Sequence, residues 1–150
     1  MHFKIKPSPQ EITEYCKNTM SDFLGIEFVE TGDDYLIARM PVAERTHQSL
    51  GMLHGGASCV LAEQVGSVAA NLCIDREKLV AIGLDINANH LKPIRHGFVY
   101  AKATPVHIGG RTQVWEIKLT NEDHELVCIT RLTLLIVALT PETKRKHDLS

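Results

Sequence analysis

The chain has 150 residues, 44% hydrophobic and 23% charged, with a formal net charge of -2. That length suits one domain with a core of its own, and the near-neutral balance argues against a nucleic-acid or anionic-membrane surface. No run approaches the roughly 20 apolar residues of a membrane helix, and the first ten residues lack the apolar stretch of a secretory signal. Four cysteines (Cys16, Cys59, Cys73 and Cys128) show no C-x-x-C spacing. Neither a disulfide framework nor a zinc site is expected, and a reducing cytoplasm is.

Ser8-Pro9-Gln10-Glu11 reads as a helix start, with Ser8 as N-cap, Pro9 at the first helical position and Glu11 closing a capping box. Ile12, Tyr15, Cys16, Phe23 and Leu24 follow at helical spacing, and Gly25 is placed to end the helix. Two strands are then expected, Ile26 to Glu30 and Tyr35 to Pro41, around the turn Thr31-Gly32-Asp33-Asp34. A long helix is expected from His54 to Cys73. Four strands follow: Leu79 to Asn89, Phe98 to His107, Thr112 to Thr120 and Glu125 to Val137. Their breaks are Pro93, Gly109-Gly110 and Asn121-Glu122-Asp123. Short turns between strands favour an antiparallel sheet that covers the one long helix, an α+β layout.

At about 100° per residue, Ala57, Leu61, Val65, Val68 and Leu72 form the stripe expected to meet the sheet. The opposite face collects Gly56, Cys59, Glu63, Gly66, Ser67 and Ala70. A solvent face would carry several long charged side chains; this one has small residues around a single carboxylate. It fits a close approach by a ligand or a second chain, with Glu63 as base or nucleophile, against the plainer reading of an exposed helix residue. At the helix start, Leu53-His54-Gly55-Gly56 leaves unpaired N–H groups at the positive end of the dipole, unobstructed by side chains. Such a start can polarise a carbonyl, although a Gly-Gly pair alone is a weak sign. Gly55 and Glu63 are eight residues apart, roughly 12 Å along one helix. If both act on one carbonyl, they come from different chains.

The segment from His47 through Gln48, Gly51, His54, Gly55, Gly56 and Ser58, followed by Glu63 and Ser67, resembles the hotdog-fold acyl-CoA thioesterases. The likeness extends to Asn87-Ala88-Asn89-His90-Leu91-Lys92-Pro93 and the turn His107-Ile108-Gly109-Gly110-Arg111. It is nearest the aryl-CoA type, which includes the 4-hydroxybenzoyl-CoA, 1,4-dihydroxy-2-naphthoyl-CoA and phenylacetate-pathway thioesterases. The resemblance implies a hotdog fold: a long central helix wrapped by an antiparallel sheet of five to six strands, here with an extra N-terminal helix. It implies a helical segment over 1–24, the hotdog domain over 25–139 and a charged tail over 140–150.

By resemblance, the Gly55 N–H polarises the thioester carbonyl, Gln48 and His54 orient it, the other chain's Glu63 is nucleophile or general base, and Ser67 positions water. His90, Asn89 and Pro93 fall in a segment that contacts ligand. Lys92, His107 and Arg111, with the Gly109-Gly110 turn, are candidates for the coenzyme A phosphates; Arg95 reads as surface charge and Trp115 as packing. The implied activity is hydrolysis of an acyl-CoA to free acid and CoA, an aryl-CoA first, with medium-chain or β-ketoacyl-CoA next. Coenzyme A is then part of the substrate, no cofactor or metal is expected, and the chain forms a dimer or a tetramer. Two alternatives stand beside this: a non-catalytic acyl-CoA-binding hotdog protein, and a hotdog enoyl thioester dehydratase or hydratase in which His54 and Glu63 act together.

Overall fold

A computed structural model describes residues 2–141; most of the charged tail expected over 140–150 lies outside the described residues. In chain order the elements are α1 (Pro9–Tyr15), α2 (Met20–Phe23), β1 (Glu27–Thr31), β2 (Leu36–Pro41), a 3-10 turn (Glu44–Thr46), α3 (Gly55–Leu72), β3 (Leu79–His90), β4 (Phe98–Ile108), β5 (Thr112–Thr120) and β6 (Leu126–Ala138). The six strands form one antiparallel sheet in the order β1-β2-β4-β5-β6-β3. The sheet curls around α3, which packs against β2, β3, β4, β5 and β6. This is the α+β hotdog arrangement expected from the sequence.

The expected N-terminal helix is in fact two. The capping box of Ser8 and Glu11 starts α1 as predicted. The run then breaks because Asn18 takes a positive φ of 60°, a conformation that ends helices. Side chains secure the break: Thr19 donates to the Cys16 carbonyl, and Asp22 accepts from the Asn18 N–H.

The face of α3 against the sheet also differs from the expected stripe. Its buried residues are Ser58, Leu61, Ala62, Val65, Gly66, Ala69, Ala70 and Leu72, whereas Ala57 and Val68 are only half-buried. Gly66 and Ala70 therefore belong to the core side. A β-carbon on Gly66 would stand 2.6 Å from Leu132 Cδ2, so the missing side chain lets α3 approach β6. A curled sheet covers a wider arc of helix than a flat one, so the buried face extends past the expected stripe.

Trp115 is fully buried, as packing. Its indole N–H donates to Gln113 Oε1 at 2.9 Å, Gln113 donates to the Ala70 carbonyl at 3.4 Å, and Phe3 stacks on its ring. The Lys4 N–H donates to the Leu72 carbonyl at 2.8 Å, fixing the N-terminal segment across the end of α3. No described helix is long and apolar enough to cross a membrane.

Candidate active site

The loop before α3 is held from both sides. His47 bridges to Leu53, the Gln48 N–H donates to Met52 O, and Gly51 turns at a φ of 72°. The Leu53 N–H donates to Ile94 O at 2.7 Å and the His54 N–H to Thr46 O at 2.8 Å. Arg95 donates to the Leu50 carbonyl at 3.1 Å, so this surface arginine secures the same loop. Gln48 accepts from the Leu50 N–H through Oε1, which orients its amide.

His54 is the N-cap of α3, and its Nδ1 accepts from the Gly56 N–H at 2.8 Å. That bond requires an unprotonated Nδ1, so the neutral ring carries its proton on Nε2. The Ala57 and Ser58 N–H groups both donate to the His54 carbonyl. Among the described residues the Gly55 N–H alone in this first turn has no protein acceptor. Gly55 lines a cavity of about 370 Å³ whose wall also includes Gln48, Ser58, His90, Lys92 and Pro93. The ring of His90 lies across Gly55. Lys92 pairs with Glu125 at 2.7 Å, both half-exposed, and the Asn89 amide turns away to donate to Asn87 Oδ1.

Two turns further along α3, Glu63 opens into a different cavity of about 320 Å³, with Met20, Cys59, Val60, Gln64 and Ile86 in its wall. Its carboxylate rests on the backbone of Gly83, where a β-carbon would otherwise stand. Gly83 begins an irregularity in the β3–β6 register that runs to Asp85. A glycine inside a strand signals such a bulge or close approach, and the sequence reading missed it. Partial burial raises the Glu63 carboxyl above its ordinary value. The thiol of Cys59, one turn earlier, is raised too, by burial first and then by the charge of Glu63. Ser67, one turn later, lines a third cavity of about 390 Å³ shared with the N-terminal segment.

The turn between β4 and β5 stands elsewhere. Thr112 pairs with Leu135, which pairs with Ile82, whereas His90 pairs with Cys128. Eight residues of β3, about 26 Å, separate the two levels. One chain therefore does not bring His107, Gly109, Gly110 and Arg111 to the Gly55 cavity, nor Glu63 to the Gly55 N–H. Within the turn, the Gly109 N–H is occupied by the Thr112 carbonyl at 2.9 Å, so a ligand there would meet Gly110 and Arg111, both exposed. Among the described residues no group of three or more His, Cys, Asp or Glu side chains could hold a metal ion.

These parts are an N–H donor at a helix start, a half-buried carboxylate and small residues between them, the requirements for polarising a carbonyl and delivering a nucleophile to it. Residues 50–128, more than half of the chain, match the family model described as the thioesterase superfamily. The chain belongs to that superfamily. This thioesterase is 46% identical over 137 residues to the 1,4-dihydroxy-2-naphthoyl-CoA hydrolase of Escherichia coli K12, covering 91% of this chain and 100% of that protein. A hydrolase of the same name from Listeria monocytogenes is 44% identical over 117 residues, covering 78% and 94%. In structure the thioesterase is similar to a mutant thioesterase of Pseudomonas aeruginosa, with a TM-score of 0.91, 44% identity and coverage of 93% and 100%. It is similar also to a thioesterase of Haemophilus influenzae, with a TM-score of 0.90, 45% identity and coverage of 93% and 96%. The protein is accordingly a thioester hydrolase.

Proposed function

We propose that this thioesterase hydrolyses an aryl-CoA such as 1,4-dihydroxy-2-naphthoyl-CoA, with medium-chain or β-ketoacyl-CoA as secondary substrates, in a site built by two chains. The substrate class rests on the relatives at 46% and 44% identity. The two-chain site rests on one observation: Gly55, with its free N–H, and Glu63 line separate cavities of one chain.

β3 supplies the means. It is a 12-residue strand at the rim of the sheet, with Ile82 46% and Leu84 64% exposed, and such an edge pairs readily with another strand. Antiparallel pairing of β3 with its own copy, with Ile86 on the two-fold axis, sets Gly83 of one chain opposite Asn89 of the other. Glu63, which rests on Gly83, then faces the other chain's His90 and Gly55. The Gly109–Arg111 turn of one chain moves to the same end, where Gly110, Arg111 and His107 join Lys92 as a seat for the coenzyme A phosphates.

In that site the Gly55 N–H and the α3 dipole hold the carbonyl oxygen as negative charge develops on it. The Gln48 amide and His54 keep the thioester in place. Glu63 either takes a proton from a water held by Ser67, or attacks the carbonyl carbon to form a mixed anhydride that water then opens. In both routes the carbon–sulfur bond breaks, the electron pair leaves on sulfur, and CoA departs as a thiolate. The raised carboxyl of Glu63 strengthens it as base and as nucleophile alike. No cofactor enters this scheme, and four unpaired thiols accord with a cytoplasmic protein.

The test mixes two inactive variants, Gly55→Ala and Glu63→Gln, by denaturing and refolding them together in equal amounts. Half of the dimers are then mixed, each with one intact site, so thiol release from an aryl-CoA should return to about one quarter of wild type. Mixed dimers that release no thiol would overturn the two-chain site. Wild type that turns over no CoA ester, or instead adds water to an enoyl-CoA, would overturn the reaction.

A further inference from the structure

Ser58 closes the first turn of α3, three residues after Gly55, and is only 4% exposed. A serine inside a helix ordinarily gives its hydroxyl to the carbonyl four residues before it. For Ser58 that carbonyl is His54 O, which already accepts from the Ala57 N–H at 2.9 Å and the Ser58 N–H at 3.2 Å. The Ser58 hydroxyl makes no such bond and has no other partner among the described residues. Nor is it sealed: among the described residues, the unpartnered side-chain atoms cut off from solvent belong to Ser21, Thr31 and Arg76. Ser58 lines the cavity of about 370 Å³ that Gly55 also lines, and its small remaining surface lies there. The rest of that wall offers the hydroxyl little. Gln48 Oε1 is taken by the Leu50 N–H, Lys92 is paired with Glu125, and Met52, Ile94 and Val127 are apolar. A hydroxyl so deeply buried without a partner calls for an explanation.

Helix geometry supplies one. Three residues are about 4.5 Å of rise, and the Cα–Cβ bond of every helical residue leans toward the helix start. The backbone N–H groups point the same way. The Ser58 hydroxyl and the free Gly55 N–H therefore converge on the N-terminal end of one cavity, and what the two donors lack is an acceptor with two lone pairs. We propose that Ser58 is a further catalytic residue, the second donor of the oxyanion site: its O–H and the Gly55 N–H together hold the thioester oxygen. The hydroxyl keeps its proton throughout. Its bond to that oxygen shortens and strengthens as the carbonyl becomes a tetrahedral oxyanion. The inference deepens the proposed function and rests on it for the seat of the thioester at Gly55.

The test compares wild type with Ser58→Ala by kinetics, melting and infrared spectroscopy. Thiol release from an aryl-CoA should lose about tenfold or more in kcat with KM nearly unchanged, because the missing bond matters most in the transition state. The melting temperature should hold or rise, since alanine suits a helix and removes a hydroxyl that had no partner. An aryl-CoA analogue with a methylene in place of the thioester sulfur binds without hydrolysis, and infrared difference spectra read its isotope-labelled carbonyl. Binding to wild type should lower the carbonyl stretching frequency, and binding to Ser58→Ala should lower it less. An unchanged kcat, or the same frequency in both proteins, would overturn the role of Ser58. So would a melting temperature that falls together with kcat, the mark of a structural hydroxyl. Wild type that releases no thiol would overturn the proposed hydrolysis, while the carbonyl frequency, which needs no turnover, would still decide for or against Ser58.

Discussion

The ring of His90 lies so close over Gly55 that a β-carbon there would come within 2.9 Å of its Nε2. The end of β3 is thereby set against the start of α3, and only a residue without a side chain fits between. His90 is exposed and can swing away, so Gly55→Ala should fold. The added methyl displaces that ring and crowds the free N–H. Thiol release should fall by about 10²-fold or more, the scale of losing one oxyanion donor, while the melting temperature stays within a few degrees. Steady-state kinetics beside thermal melting checks both.

Glu63 gives a prediction in opposite directions for activity and stability. Glu63→Gln should lower kcat by about 10²- to 10⁴-fold, the range for a general base. Burial raises this carboxyl above its ordinary 4.5, so the folded state holds the proton more tightly than the unfolded chain. The stability linked to that proton is complete below the ordinary value and is lost as pH rises through the raised one. The amide of the Glu63→Gln variant stays neutral at every pH. The variant should match wild type in melting temperature near pH 4 and equal or exceed it at pH 7. Wild-type activity should fall in acid through a midpoint above 4.5.

Gly83→Ala should act through Glu63. The new methyl takes the space occupied by the carboxylate and pushes it off the β3 bulge. A misplacement of this size at a reacting group should lower kcat by about tenfold or more. The Glu63→Gln background should show little further loss, because the displaced group is already inactive. Kinetics of the double variant tests that dependence.

His54 caps α3 through Nδ1. Removing the acceptor in His54→Ala should lower stability by about 1 kcal/mol, whereas His54→Asn, which restores a capping oxygen, should recover most of it. Urea denaturation of the two variants distinguishes a cap from a packing role.

Periodicity located every strand to within a residue or so, because alternation and turn residues are local signals. The long helix was equally plain: the expected ends, His54 and Cys73, are its two caps. The break at Asn18 was not readable, since it depends on Asp22 and Thr19 folding back onto a backbone that otherwise has helical spacing. Gly66 and Ala70 were misplaced because a helical wheel carries no information about how far a sheet curls. At the site, the eight-residue interval between Gly55 and Glu63 already implied that one chain does not join them. What stayed hidden were contacts between distant segments: His90 over Gly55 and Glu63 on Gly83. Of these only Gly83, a glycine inside a strand, left a mark in the sequence.

The two rims of the sheet are unlike. β1 has only five residues, its register shifts between Phe28 and Glu30, and Glu27 is tied to Arg39 at 2.9 Å. A short, kinked, charged rim is a poor template for another strand, whereas β3 is long. In the proposed dimer, joining through β3 would use up that rim in both copies and leave outside only β1, the poorer template. The short, kinked β1 would then act as a stop against fibre growth, and a larger assembly would have to form through surfaces other than a strand edge.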